Sequence, residues 1–252
     1  MDYSKRREVD REGMPLLCHA ELMTTIPLSP TARTQVRRSK ERAATDRQVL
    51  YDVLQAGMFC HLGVVVDGDP LVLPTAYGVD LDRGPDGTLY LHGSVAARSV
   101  VAAPGQTICV TVTHIDGLVL ARSAFHHSVN YRSAVVLGRP RLVTDPDEKL
   151  HGLTTIVDHL VPGRSSGSRA PNKKELAKTS VLALDLTEAS VKTRVGEAND
   201  EPEDLDLPFW TGVVPLRVVA GEPISNSDCD LLVPAHVRTR ANQLGAPAAT
   251  GW

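Results

Sequence analysis

The sequence predicts a mainly β protein: an antiparallel barrel of six strands with helices at its periphery. Three observations carry this. Between Met58 and Val143 the chain falls into short runs rich in β-branched residues. Compact turn signals such as Asp67-Gly68-Asp69-Pro70 separate neighbouring runs. Only one stretch between strands, residues 95–103, has the character of a helical crossover. Short hairpins with a single crossover favour a barrel over a sandwich of equal sheets.

Taken in order, residues 1–33 hold no sustained period and carry Pro15, Pro27 and Pro30, which describes an N-terminal arm that docks on a partner subunit. Residues 33–47 are basic (Arg33, Arg37, Arg38, Lys40, Arg42, Arg47) and read as a solvated lead-in to a helix; the alternative is a contribution to an anionic-ligand pocket. Thr45 or Asp46 caps that helix, Val49, Leu50, Val53 and Leu54 share one face, and Gly57 ends it. Strands follow at 59–66 and 71–79. Pro74 in the second marks an edge, a bulge, or a place where a ligand meets the backbone. The third strand is 88–92. Residues 107–115 and 118–122 form two more, joined through Asp116-Gly117 as a hairpin turn, and 131–143 is a long strand broken at Gly138-Arg139-Pro140. Asp145 caps a helix to Leu160, residues 162–172 form a loop, 173–178 a short helix and 180–194 a last strand. An acidic linker (197–207) leads to Phe209-Trp210 and the run 212–219, a tail that packs on the barrel or its partner, with loose structure beyond Pro223. The organisation is thus an arm (1–33), one barrel domain (34–195) and a C-terminal extension (196–252).

Composition excludes several classes. A net charge of −3 and a pI near 6.3 argue against nucleic acid as a partner. No apolar run reaches the length of a membrane span, and the charged N-terminus has no signal core, so the expectation is a cytoplasmic protein with no membrane partner. Cys18, Cys60, Cys109 and Cys229 form no C-x-x-C pair, so neither a zinc knuckle nor a redox dithiol is supported; Cys60 and Cys109 read as small buried hydrophobes.

The stretch LYLHGSVAARS (89–99) carries the most pointed chemistry. Ser94 is placed to cap a short helix over 95–103, whose free N–H groups suit an anion, and Arg98 falls one turn in, where its guanidinium can close on a phosphate. The bland alternative is a capped connector with Arg98 in solvent. Three further stretches concentrate polar groups: LPTAY (73–77), FHHSVN (125–130) and YRS (131–133). His126 and His127 lie in a loop where substrate or a haem iron is met. Neighbouring residues of a strand point to opposite faces, so the pair is a poor chelate and reads better as a polar lining. His61 and His114 read as strand residues satisfied locally.

Together RAATD (42–46), PTAY (74–77), YLHGS (90–94), Arg98, NYRS (130–133) and Gly138 resemble, in order and spacing over 38–195, the FMN-binding split barrel of the pyridoxamine 5'-phosphate oxidase-like superfamily. The branch holding the nitroimidazole-resistance (Nim) reductases and their flavin-nucleotide-binding relatives is the most similar. The resemblance implies a split β-barrel of Greek-key type and a homodimer with FMN at the interface. It implies Arg98 and Ser94 at the phosphate, Arg132 and Ser133 reaching phosphate or ribityl from the long strand, Thr75 on the strand along the isoalloxazine edge, and His92 near the ribityl chain. Trp210 lies where a C-terminal aromatic closes over the flavin. Tyr131 and Tyr77 are core or flavin-stacking residues. Independently, FMN needs cations at one end, hydroxyls in the middle and a flat apolar slot; Arg98 and Arg132, then Ser94, Ser133 and Tyr131, then the Val- and Leu-rich strands supply these.

One departure stands out: the family's C-terminal Arg-x-His substrate motif is missing, and Arg238-Thr239-Arg240 does not replace it. Oxidation of pyridoxamine phosphate is therefore not expected. The expected function is an FMN-dependent oxidoreductase reducing a small nitro- or quinone-like aromatic, with His126 or His127 as donor or gate toward this small-molecule substrate. The alternatives are a non-catalytic flavin or haem carrier, and an enzyme of the deazaflavin F420, whose acidic tail would use the basic run 33–47.

Overall fold

A computed structural model describes residues 27, 28 and 31–245. Most of the expected N-terminal arm, with Cys18, lies outside the described residues.

Asp46 accepts a hydrogen bond from the Gln48 N–H and starts α1 (Arg47–Ala56). Its buried face, Leu50, Val53 and Leu54, enters the barrel core beside Leu62, Val110 and Val112. β1 (Phe59–Val66) turns at Asp67-Gly68, with φ of 55° and 91°, into β2 (Asp69–Asp80). β3 (Thr88–Ser94), α2 (Arg98–Ala102), β4 (Ile108–Leu120), β5 (Ser128–Gly138) and β6 (Arg141–Leu142) follow. Then come α3 (Pro146–Leu160), α4 (Lys173–Lys178), β7 (Thr179–Asp185), β8 (Ala189–Arg194), β9 (Gly212–Pro215) and α5 (Ala235–Gly245).

The strands are antiparallel, in the order β6-β7-β3-β2-β1-β4-β5-β8, with β9 on β4 beyond the start of β1. β2 turns the sheet over: up to Ala76 it pairs β1, and from Tyr77 it pairs β3. β7 and β8 lie toward opposite ends of that path, yet only residues 186–188 separate them, so their connection spans the open side. Leu186 N–H donates to Gly87 O at 3.1 Å and Leu137 N–H to Glu188 O at 2.9 Å across that seam. The result is a split barrel, as the sequence implied.

Arg47 holds the seam from inside. It is 1% exposed, donates to Leu186 O at 2.9 Å and lies 3.4 Å from Asp86. Arg33 pairs with Glu188 at the same connection. The expected solvated lead-in is therefore corrected at both ends of the basic run. On the other side of the sheet α3 covers Tyr90, Val181 and Ala183. It comes so close at Gly78 that a Cβ there would meet Ile156 N at 2.6 Å.

Four local expectations are corrected. Asp116-Gly117 is no hairpin turn but a β-bulge inside the continuous strand β4, with β5 paired on both sides of it. β9 packs against that point, where Val213 Cγ1 would be 2.9 Å from a Cβ on Gly117. The single strand expected over 180–194 is the pair β7 and β8, and with the short β6 and β9 the described strands number nine, where the sequence predicts six in the barrel and this one after them. The region beyond Pro223 contains α5, docked where Arg240 Nε donates to Leu160 O at 2.8 Å.

Candidate functional site: the outer face of the sheet

Residues directly opposite in a ladder point to the same face. His61 stands opposite Pro74 and Thr111, and Thr111 opposite Val135. Phe59 stands opposite Ala76, while Thr113, Ser133 and Lys192 form one row and Ile115, Tyr131 and Arg194 the next. The alternate positions, Cys60, Leu62, Val110, Val112 and Ala134, fill the core. The first set therefore faces outward. Alternation along β3 from Tyr90 adds His92 and Ser94 to that face.

Among the described residues nothing covers this outer face beyond the reach of α3: Phe59 is 59% and Val72 63% exposed. It combines small or flat groups (Gly63, Pro74, Ala76) with hydroxyls, the Thr113 and Ser133 oxygens lying 3.4 Å apart. Lys192 donates to Arg38 O at 3.1 Å from its edge. His61 and His92 have no hydrogen-bond or ion-pair partner among the described residues. Five other histidines are engaged: His114 with Val53 O, His126 with Glu201, His127 with Ser123 O, His151 with Asp80 and His159 with Gly57 O. His92 is exposed by surface area, yet the strands beside its ring still desolvate it and lower its pKa, which favours the neutral imidazole.

Of the residues expected at the site, His92, Ser94, Tyr131 and Ser133 share the outer face. Thr75 does not: it stands opposite Cys60 on the core side, its hydroxyl on Ala76 O at 3.3 Å, while its neighbours Pro74 and Ala76 point outward. Ser94 does not cap α2. It remains in β3, paired with Thr179, and its Oγ accepts from Ala96 N–H at 3.2 Å; α2 begins only at Arg98, with Ala97 as N-cap. Arg98 pairs with Asp67 of the β1–β2 turn, both largely exposed. Arg132 stands opposite His114, toward α1, and donates to Asp116 in the bulge at 2.8 and 3.0 Å. From the ladder registers the two guanidiniums are on the order of 25 Å apart along the sheet. Within one chain they do not converge, which corrects the expected two-arginine cradle.

His126, His127 and Trp210 gather at the Leu120 end of β4. His126 Nε2 lies 3.6 Å from Glu201 and Trp210 is 68% exposed, packed over Gly212 next to the Thr211–Leu120 hydrogen bond. Tyr77 is a core residue: it is buried, its hydroxyl donates to Leu54 O at 2.5 Å, and burial pushes its pKa up. His61, Thr111, Thr113 and Lys192 were missed as a set. The alternation in FCHLGVVV and ICVTVTHI was the available signal, and His61 is not satisfied locally. A separate cleft of about 700 Å³ between β2, α3 and α5 is lined by Asp80, Asp82, His151, Asp158 and Arg240, with His151 Nε2 2.6 Å from Asp80. Among the described residues no three His, Cys, Asp or Glu side chains are arranged to hold a metal ion, and no helix is long and apolar enough to cross a membrane.

Residues 46–193 match the pyridoxamine 5'-phosphate oxidase family. Among solved structures, the flavocytochrome Anf3 of Azotobacter vinelandii is 36% identical with a TM-score of 0.78, covering 84% of this chain and 98% of its own. An FAD- and haem-binding protein of Mycobacterium smegmatis is 35% identical with a TM-score of 0.73, covering 79% and 97%. A candidate 5-nitroimidazole antibiotic resistance protein of Bacteroides thetaiotaomicron, 20% identical with a TM-score of 0.50 over 60% of this chain and 85% of its own, shares the fold. The search of curated proteins found no match.

Proposed function

The chain belongs to the pyridoxamine 5'-phosphate oxidase family, and from that membership we propose a flavin-dependent redox protein that also binds haem and works as a homodimer with cofactor on the outer sheet face. The observation that carries this reading is the pair His61 and His92, two imidazoles without partners on one uncovered apolar face. A neutral imidazole is a side chain that would hold a haem iron.

The residues present fit both groups. Gly63, Pro74 and Ala76 leave a flat apolar slot, Ser94 presents a hydroxyl for a polyol chain four residues before Arg98, and Arg98 becomes available to a phosphate if Asp67 lets go. Thr113 and Ser133 lie too far along the sheet to serve the same chain. Flavin supplies two-electron chemistry and haem one-electron transfer; the protein contributes position and electrostatics. The Ser94 hydroxyl would orient the ribityl chain, and a second subunit would exclude water from the slot. The acceptor is a small planar aromatic, nitro- or quinone-like, admitted at the Leu120 end where His126, His127 and Trp210 line the approach. The FAD- and haem-binding relative favours FAD over FMN as the flavin. Of the basic run that would take a deazaflavin tail, Arg33 and Arg47 are engaged by Glu188 and Asp86, which leaves it Arg37, Arg38 and Lys40.

The test is the absorption spectrum of untreated protein together with the mass of extracted cofactor. Flavin bands plus a Soret band support the reading. Flavin bands alone reduce it to the flavin oxidoreductase expected from the sequence; protein that stays colourless after incubation with FMN, FAD and haemin overturns it.

A further inference from the structure

Two unneutralised charge zones face solvent on the same molecule. The first is the run before α1, where Arg37, Arg38 and Lys40 are exposed and no carboxylate among the described residues pairs with them. Lys192 ties this run to β8 through Arg38 O at 3.1 Å, and Ala43 bridges Lys192, so the cations sit along the free edge of the sheet that carries the outer face. The second is the chain between β9 and α5. It leaves the barrel after Leu216 N–H binds Asp116 O at 3.0 Å and returns at α5. Between those anchors Glu222, Asp228 and Asp230 are exposed and unpaired among the described residues, and Ile224, Leu231 and Leu232 are 94%, 79% and 89% exposed.

This arm, held at both ends, carries Arg217 at its start, three carboxylates beyond it (Glu222, Asp228, Asp230) and apolar side chains at intervals. Its 222–232 stretch is suited to a surface that is basic and apolar. This molecule displays basic residues at Arg37–Lys40 along its β8 edge and exposed apolar ones, Phe59 and Val72, farther in on the outer face of the same sheet. A contact between unlike patches closes as a two-fold dimer only when both contacts form reciprocally between the same two copies; made once per pair it would propagate instead. We propose that the arm between β9 and α5 clasps a second copy of this chain, its carboxylates on the partner's basic run and its apolar side chains on the rim of the partner's outer face. This rests on the dimer of the proposed function and names what closes it. Each cofactor slot would then be fenced by the other chain's arm.

The experiment is sedimentation equilibrium at low and high salt on the full chain, with cofactor absorbance recorded alongside. The doubly reversed Arg37→Glu/Arg38→Glu protein should dimerise roughly three- to tenfold more weakly at low salt, and the difference should shrink at high salt. Adding Asp228→Lys/Asp230→Lys to it should restore dimerisation. Leu231→Ser/Leu232→Ser should weaken it at either salt. Unchanged dimerisation in the first variant, or no restoration in the combined one, overturns the clasp. A dimer with these responses but no cofactor would uphold the clasp and remove the flavin reading. A cofactor-bearing monomer would do the reverse. Binding of a nucleic acid to the basic run in preference to the arm also overturns it, and a filter-binding assay on the same proteins reads that outcome.

Discussion

His61 of β1 and Thr111 of β4 face each other across the ladder, so an unpartnered imidazole and a hydroxyl lie side by side on the outer face. His92 reaches the same face from β3. If haem binds there, replacing one imidazole removes its iron ligand and leaves the flavin. His92→Ala should abolish the Soret band while flavin absorbance persists, and His61→Ala should shift it. If neither substitution changes the haem spectrum, iron is held elsewhere. Desolvation lowers the pKa of His92, so the neutral ligand should survive moderate acid. Protonation below that lowered value should release iron, read as loss of the Soret band on acid titration.

Arg98 and Asp67 give a paired test of phosphate binding. Both side chains are more than 70% exposed, so their ion pair adds little stability. Asp67→Asn should leave the denaturation midpoint nearly unchanged and tighten flavin by roughly two- to fivefold. Arg98→Ala should weaken flavin binding by about 1.5–3 kcal/mol. Titrations in which both variants match the parent would remove Arg98 from the site.

How legible was this in the sequence? The strands and their caps were, because alternation and Asp or Gly placement act locally: Asp46, Asp145 and the Asp67-Gly68 turn fell where the chain's own chemistry put them. What failed depended on partners distant along the chain. Asp116-Gly117 has the composition of a turn, but β5 pairs through it and β9 packs on it, so the strand continues. Arg47 looked like one more surface cation. Its burial is fixed by carbonyls at residues 186 and 187. At the site, the resemblance named residues on β2, β3 and β5 but not which way Thr75 and Arg132 point, since that depends on register. The charge zones invoked for the clasp were visible in composition, yet their mutual isolation was not.

Glu148 joins three elements, and its titration should appear in stability. Its carboxylate accepts from Arg141 Nη1 at 2.8 Å, Tyr90 Oη at 3.0 Å and Arg83 Nε at 3.0 Å, locking α3 to β3 and β6. Hydrogen bonding from Arg141, opposed by desolvation and aided by Tyr90, lowers its pKa to about 2, against an ordinary 4.5. A carboxylate with a depressed folded-state pKa stabilises the fold fully above its unfolded value. That stabilisation is lost as pH falls from about 4.5 toward 2. After allowance for solvent screening it is about 1–2 kcal/mol. Urea denaturation should therefore show Glu148→Gln less stable at neutral pH and converging on the parent near pH 2. A constant gap across that window would contradict the assignment.

Gly78 sets how closely α3 can lie on the sheet. A Cβ at this position would stand 2.6 Å from Ile156 N, 2.7 Å from Thr155 C and 2.8 Å from Ile156 Cα. These are backbone atoms of a helix, and no rotamer change relieves them. Either β2 or α3 must move, and α3 is fixed along its length by Tyr90 under it, by Glu148 at one end and by the His159–Gly57 hydrogen bond of 2.7 Å at the other. Gly78→Ala should therefore cost about 1–3 kcal/mol, the range for overpacking a well-filled contact. Gly68→Ala is the informative companion. A Cβ there has open space, but φ is +91°, so its cost should be confined to backbone strain of about 1 kcal/mol in the turn. Urea titrations of the two proteins separate the causes: near-ultraviolet circular dichroism should change with Gly78→Ala, where aromatic Tyr90 is displaced, and stay the same with Gly68→Ala. Equal spectra for both would mean that α3 tolerates the added methyl and that its close approach to β2 is not what holds it in place.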